Sequence, residues 1–211
     1  MSSKNVYDRI ANYILLKGSN VSDAGLYHGK MGLSLALFFF GRKTGNYIME
    51  RYASNLLEDV YDMVYTNMPV GIEYGLSGIG LGIVFLYKNY FVEGNLDDVL
   101  EDIDKKIMEY CPLRMKDTSF RSGLQGIMTY IKERKKISNE IGALEDSFIQ
   151  ELSKSIKLQS SSERYTTDFI LDLRKPVWKP GQYIDNLLDI DGGSSYYLIQ
   201  YSYDNILFNT K

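Results

Sequence analysis

The chain has 211 residues, 45% of them apolar and 24% charged, which is enough for one globular domain with a substantial core. Its net charge of −3 and the lack of a basic face argue against nucleic acid as a partner. The longest apolar stretch, residues 33–40, is too short to cross a bilayer, and the polar N-terminal residues do not form a secretion signal. Together with a single cysteine, Cys111, these features predict a cytoplasmic protein with no membrane partner.

The first part of the chain alternates between two helical patterns. Apolar residues at helical spacing over residues 4–17 predict an amphipathic helix that ends near Gly18. Residues 29–40 are apolar almost throughout, so a helix there must be enclosed by other helices. Residues 46–65 are again amphipathic, and Thr44 or Asn46 is expected to cap the N-terminus of this helix. We therefore expect outer and inner helices in turn.

The same alternation continues along the chain. Residues 78–87 are almost wholly apolar and predict a second inner helix, whereas residues 96–108 are acidic and amphipathic and predict an outer one. A third pair is predicted from Gly123 onwards, with its outer helix in the apolar spacing of residues 144–156. The third pair is more polar than the first two.

The sequence pattern changes at about residue 160. Apolar residues alternate with polar ones ahead of Pro176 and Pro180, and two prolines exclude a continuous helix, so we expect an extended segment over residues 160–185. A last helix is predicted to begin near Asp191 in the string DGGSSYYLI, where Ser195 stands in place of the second glycine of the preceding motifs.

Glycines recur at fixed spacing and mark an internal repeat. The first set returns 46 residues later, and part of it returns again 48 residues beyond that; the sets are Gly25, Gly29 and Gly32, then Gly71, Gly75 and Gly78, then Gly123 and Gly126. Repeats of this length are typical of stacked helical hairpins, in which no single unit buries its own apolar face. The glycines allow a neighbouring helix or backbone to approach closely; alternatively, they leave helix N–H groups free to hold an anion or a peptide carbonyl.

The motifs resemble those of the lanthionine synthetase C-like family. The resemblance lies in GLYHGKMGLSLAL, in GIEYGLSGIGLGI followed by GNLDDVLEDID, and in SGLQGIMTYI, with a weak echo at residues 191–199. The family implies an α/α toroid whose inner helices begin at such glycines. We therefore expect an all-α, partial α/α toroid: a single domain over residues 1–211, with clear repeats over 25–150 and a degenerate C-terminal part over 160–211.

The resemblance also bears on activity. Catalytic members of the family bind zinc through two cysteines and a histidine, and the metal activates a substrate cysteine thiol. This chain has one cysteine, Cys111, and one histidine, His28, neither at a family ligand position. We therefore expect no metal site and no cofactor. The favoured function is that of a pseudoenzyme: a non-catalytic peptide-binding or accessory protein in ribosomal peptide (lanthipeptide-type) modification, whose partner is a precursor peptide or a modification enzyme.

The expected binding site is a peptide-binding rim formed by residues of the glycine motifs, namely Tyr27, His28, Lys30, Glu73 and Tyr74. Two alternatives stay open at this point. One is a toroid enzyme that acts on a peptide or a glycoside with His28 and Glu73 as acid and base. The other is a structural subunit that completes a toroid with a partner chain or, as a homodimer, with a second copy of itself.

Overall fold

The computed structural model describes residues 3–65, 67–137, 144–159, 168–179 and 187–207. In these ranges the chain contains eight α-helices and no strand, which confirms the prediction of an all-α protein. The helices are α1 Ser3–Lys17, α2 Lys30–Thr44, α3 Tyr47–Asp62, α4 Leu76–Lys88, α5 Leu96–Met108, α6 Leu124–Lys135, α7 Asp146–Gln159 and α8 Ser195–Leu207.

The helices fall into two compact units. The first unit comprises Met1–Met63 together with Asp172–Lys211, and the second comprises Val64–Leu171. The first therefore holds α1, α2, α3 and α8, and the second holds α4 to α7. The single domain expected over residues 1–211 stays a prediction.

In the first unit, α2 is the central helix. It packs against α3 and α8, and α1 packs against α8. Every residue of α2 from Lys30 to Gly41 is buried, as expected for an enclosed helix. By contrast, α3 buries one face only, whose residues recur every three or four positions: Met49, Ala53, Leu56 and Val60. The inner and outer helices predicted for this part of the chain are confirmed.

The second unit repeats the arrangement. Helix α4 packs against α5 and α6, and α6 packs against α7. Residues 76–84 of α4 are all buried. Helix α5 is amphipathic, and its apolar face is formed by Leu96, Leu100, Ile103 and Ile107. Each unit thus contains an enclosed helix, α2 or α4, packed against an amphipathic one, α3 or α5.

Local signals set the helix ends. The side chain of Asn46 accepts a hydrogen bond from Ile48 N at 3.2 Å, and that of Asn95 accepts one from Asp97 N at 3.1 Å, so both act as N-terminal caps. Helix α2 ends at Gly45, whose φ of 69° lies in the left-handed region that glycine adopts without strain.

The expected extended segment over residues 160–185 is described only between residues 168 and 179; residues 160–167 and 180–186 lie outside the described residues. Phe169–Asp172 forms one turn of 3₁₀ helix rather than a strand. The reason is local: the side chain of Asp168 accepts a hydrogen bond from Ile170 N at 2.9 Å, and its carbonyl accepts one from Leu171 N. Residues 173–179 that follow contain neither helix nor strand.

A buried polar network joins α5 to α6 in the second unit. The hydroxyl of Tyr130 donates to Asp104 Oδ1 at 2.5 Å, and Arg134 Nε lies 3.3 Å from Asp104 Oδ2. The other end of the guanidinium donates to Asp97 Oδ1 at 2.5 Å. Burial raises the pKa of the Asp104 carboxyl, against the opposing effects of the Tyr130 hydrogen bond and the Arg134 charge.

Candidate functional site

Each glycine motif forms a loop that ends at the start of an inner helix. Gly29, Gly75 and Gly123 are the last residues before α2, α4 and α6. Their backbone conformations are nearly identical, with φ of −123°, −122° and −116° and ψ of −171°, −171° and −162°. This is extended backbone that any residue adopts, so conformation does not explain the glycines.

The lack of space for a side chain explains these glycines. A β-carbon on Gly75 would overlap the carbonyl oxygen of Pro69, and one on Gly29 would stand 2.5 Å from the carbonyl oxygen of Asp23. Gly123 stands in the same relation to Asp117. In all three motifs the loop folds back so that the carbonyl six residues earlier lies against the glycine. The close backbone approach predicted from the sequence is confirmed.

The same fold-back uses the N–H groups at the helix starts. The first N–H of each helix donates to the carbonyl seven residues earlier, in the pairs Lys30 to Asp23 at 2.9 Å, Leu76 to Pro69 at 2.9 Å and Leu124 to Asp117 at 3.0 Å. The next N–H does the same in α2 and α4, from Met31 to Ala24 and from Ser77 to Val70. The alternative in which these N–H groups are free to hold an anion or a peptide carbonyl is therefore wrong at these positions.

A fourth loop of this kind precedes α8. Ser194 N donates to the carbonyl of Leu187 at 2.8 Å, and Ser195 N donates to that of Leu188. These bonds place Gly193 in the position of Gly29. The sequence alignment, which placed Ser195 at the second glycine, is thus two residues off.

We refer to residues 23–29, 69–75, 117–123 and 187–193 as the first, second, third and fourth loops. Their fifth residues meet in pairs within each unit. In the first unit, Asp191 N donates to the carbonyl of Tyr27 at 3.3 Å; in the second, Glu73 N donates to that of Arg121 at 2.9 Å. Each unit therefore contains two loops joined at equivalent positions.

Three of the predicted rim residues lie in the first unit. Tyr27 is buried, and its hydroxyl donates to Asp172 Oδ2 at 3.0 Å. Lys30 is also buried, with its Nζ 2.5 Å from Asp59 Oδ2. His28 is half-buried on the first loop. Burial of Tyr27 and Lys30 means that their side chains hold the loop and α2 in place.

The other two predicted rim residues lie in the second unit. The Glu73 carboxylate lies 3.4 Å from Arg121 NH1, and Tyr74 leaves 46% of its surface exposed. Because His28 and Glu73 belong to different units, their suggested acid–base pairing stays a prediction, as does the peptide-binding role of the rim.

Two aspartates of the fourth loop flank His28, a contact that the sequence did not indicate. Nδ1 of His28 lies 2.7 Å from Asp189 Oδ2, and Nε2 lies 3.7 Å from Asp191 Oδ2. The Asp191 side chain is completely buried and pairs with Arg174, whose NH2 lies 2.5 Å away. No local or periodic signal in the sequence marks these aspartates as partners of His28 or marks Arg174.

The comparisons with known proteins decide the family. A model of the family described as "Lanthionine synthetase C-like protein" matches residues 3–175. The chain belongs to the lanthionine synthetase C-like family. Its members are α/α toroids, in agreement with the helical repeats described above. No curated protein and no solved structure matches the chain.

The zinc ligands of catalytic lanthionine synthetase C-like proteins do not fit this chain. Its one thiol, that of Cys111, is exposed between α5 and the 3₁₀ helix Pro112–Arg114 of the second unit. Its one imidazole, that of His28, lies in the first unit with both nitrogens facing carboxylates. A site of two thiolates and one imidazole cannot be assembled from this donor set.

The described helices of this lanthionine synthetase C-like chain include none that combines the length and the apolar character of a membrane span. The cytoplasmic location stays a prediction.

Proposed function

We propose that the chain is a non-catalytic peptide-binding or accessory protein in ribosomal peptide modification of the lanthipeptide type. One observation carries the proposal: the loops of the family recur four times, whereas one cysteine and one histidine cannot supply the family's zinc ligands. A scaffold that retains its repeated loops without the means to activate a thiol is suited to holding a peptide.

The loop geometry indicates how a peptide would be held. The first N–H groups of α2, α4 and α6 already donate to loop carbonyls, so these groups are not available as donors to a peptide. Side chains must then supply the polar contacts, and His28 and Glu73 are the polar members of the predicted rim that are not fully buried. Tyr74 adds an exposed ring with a hydroxyl at its tip, a combination that is frequent in binding surfaces.

Tyr27 and Lys30 have a different part in the proposal. Both are buried, and each binds a carboxylate of its own unit, Asp172 and Asp59 respectively. Their substitution would lower stability as well as binding, so they do not provide a clean test of peptide contact.

The test therefore uses Tyr74. A panel of synthetic peptides that contain cysteine and serine is titrated against the chain, with fluorescence polarisation as the readout. We expect Tyr74→Ala to weaken binding by about tenfold, the effect typical of an interfacial tyrosine. Tyr61→Ala is the matched control, because Tyr61 is an exposed tyrosine of α3 with 51% of its surface accessible, away from the loops in sequence. Equal affinity of all three proteins, or no binding by the parent, would contradict the proposal.

A further inference from the structure

The buried carboxylate of Asp191 connects Arg174 to the histidine of the first loop. We infer that Arg174 is a positioning residue: through Asp191 it fixes the orientation and the proton arrangement of the His28 imidazole. This inference rests on the proposed function in one respect, that His28 contacts the peptide. The contacts among Arg174, Asp191 and His28 all lie within the first unit.

Arg174 holds the Asp191 carboxylate through both its main chain and its guanidinium. The carboxylate is fully buried, and a buried charge is stable only when it is paired and hydrogen-bonded. Arg174 supplies three donors: its backbone N to Oδ1 at 2.6 Å, and its Nε and NH2 to Oδ2 at 2.8 Å and 2.5 Å. The oxygen that accepts both guanidinium bonds is also the one that lies 3.7 Å from His28 Nε2. Arg174 therefore sets the position and the net charge of the group beside Nε2.

The opposite side of the imidazole is fixed by the same loop. Asp189 Oδ2 lies 2.7 Å from Nδ1, and because an ionised carboxylate only accepts hydrogen bonds, Nδ1 carries the proton in this contact. The main chain adds a further constraint, since Asp191 N donates to the carbonyl of Tyr27, the residue before His28. The ring is thus held between two carboxylates of the fourth loop.

The guanidinium can be removed without removing the main-chain contacts. The Arg174 side chain is 62% exposed, and its carbonyl accepts a hydrogen bond from Gly192 N at 2.8 Å whatever the side chain is. Arg174→Gln deletes the charge and the bonds to Oδ2. Arg174→Lys keeps the charge and loses the two-pronged geometry.

His28 makes the test direct, because it is the only histidine in the chain and gives a single set of imidazole nitrogen signals. The signals of the ¹⁵N-labelled full chain are recorded at mildly alkaline pH for the parent, Arg174→Gln and Arg174→Lys. Arg51→Gln, a change at an exposed arginine of α3, is the control. In the parent we expect well-separated Nδ1 and Nε2 shifts, the signature of one protonated nitrogen. In Arg174→Gln we expect the difference between the Nδ1 and Nε2 shifts to become smaller. Without the guanidinium, the negative charge of Asp191 favours a proton on Nε2 as well as on Nδ1.

Arg174→Lys should narrow the separation less than Arg174→Gln, and Arg51→Gln should leave it as in the parent. An unchanged separation in both Arg174 variants, with the parent's helical circular dichroism retained, would overturn the inference. The lysine variant keeps the test valid if the glutamine variant fails to fold. Failure of the proposed function can be told apart from failure of this inference. If the parent chain binds no peptide, its nitrogen shifts still report the proton arrangement of His28.

Discussion

At the scale of single residues, the contact between Gly75 and Pro69 decides how tightly a loop can close. The backbone of Gly75 is extended, so alanine would fit its conformation, but an added methyl group would overlap a carbonyl oxygen. We expect Gly75→Ala to destabilise the protein by about 1–3 kcal/mol, the usual cost of overpacking a closed site. Urea unfolding followed by circular dichroism measures the change in free energy.

Gly45→Asn is the matched control for that substitution. Gly45 has a φ of 69° and nothing within 4 Å of a β-carbon, and asparagine tolerates the left-handed region. The expected loss is about 0.5 kcal/mol. If Gly75→Ala proved as stable as the parent, lack of space beside the Pro69 carbonyl would not be the reason for this glycine.

Asp117 at the start of the third loop gives a pH-dependent prediction. The Ser122 hydroxyl donates to it at 2.6 Å and Ser119 N donates at 2.8 Å, and the hydrogen bond from Ser122 is the main cause of its lowered pKa. A carboxyl with a lowered folded-state pKa stabilises the fold above its unfolded pKa, about 3.9 for aspartate, and this stability is lost as pH falls through the folded-state pKa.

Asp117→Asn should therefore lower the thermal unfolding midpoint at neutral pH, and the difference from the parent should shrink below a pH of about 4. Ser122→Ala, which removes the principal donor, should show the same trend with a smaller amplitude. Thermal scans across this pH range provide the measurement. A difference that stays constant with pH would show that the carboxylate charge has no part in closing the loop.

At the scale of helices, the packing of α6 depends on the buried hydroxyl of Tyr130. Tyr130→Phe would leave the Asp104 carboxylate, which is only 1% exposed, with Arg134 as its remaining described partner. We expect a loss of about 1–3 kcal/mol, the cost of leaving a buried polar group under-satisfied. Tyr61→Phe, at an exposed position of α3, should change the free energy of unfolding by less than about 0.5 kcal/mol. Equal stability of the two variants in urea would contradict a structural role for the network.

Helix bounds were predictable where local chemistry sets them. Residues 96–108 were expected to be a helix, and α5 spans Leu96–Met108, because Asn95 caps it and its apolar spacing is regular. Helix α4 starts two residues before the predicted stretch, since the loop fold-back captures the N–H of Leu76. The sequence does not reveal a fold-back that takes its acceptors from seven residues earlier.

The contacts around His28 were not predictable for a different reason. His28 and Asp189 are 161 positions apart, and Arg174 and Asp191 are 17 apart, with no periodic pattern that joins them. The motif itself was recognisable from its glycines, but its partners depend on which loops meet, and that follows from packing within the first unit. For the same reason the burial of Tyr27 and Lys30 was not evident from the sequence.

At the scale of the whole molecule, family membership was evident from the sequence because the glycine motifs occur in order at regular spacing. The fold class followed from the same repeat, and the family match over residues 3–175 agrees with it. Activity is less directly encoded, since it depends on ligands that a single cysteine and a single histidine cannot provide.

The measurement that tests this account most directly is a calorimetric titration of the peptide panel into the 211-residue chain before and after treatment with a zinc chelator. We predict saturable binding of at least one peptide with the same Kd in both preparations, because the proposed contacts are side chains and no metal is involved. Binding that disappears on chelation and returns with one equivalent of zinc per chain would contradict the account.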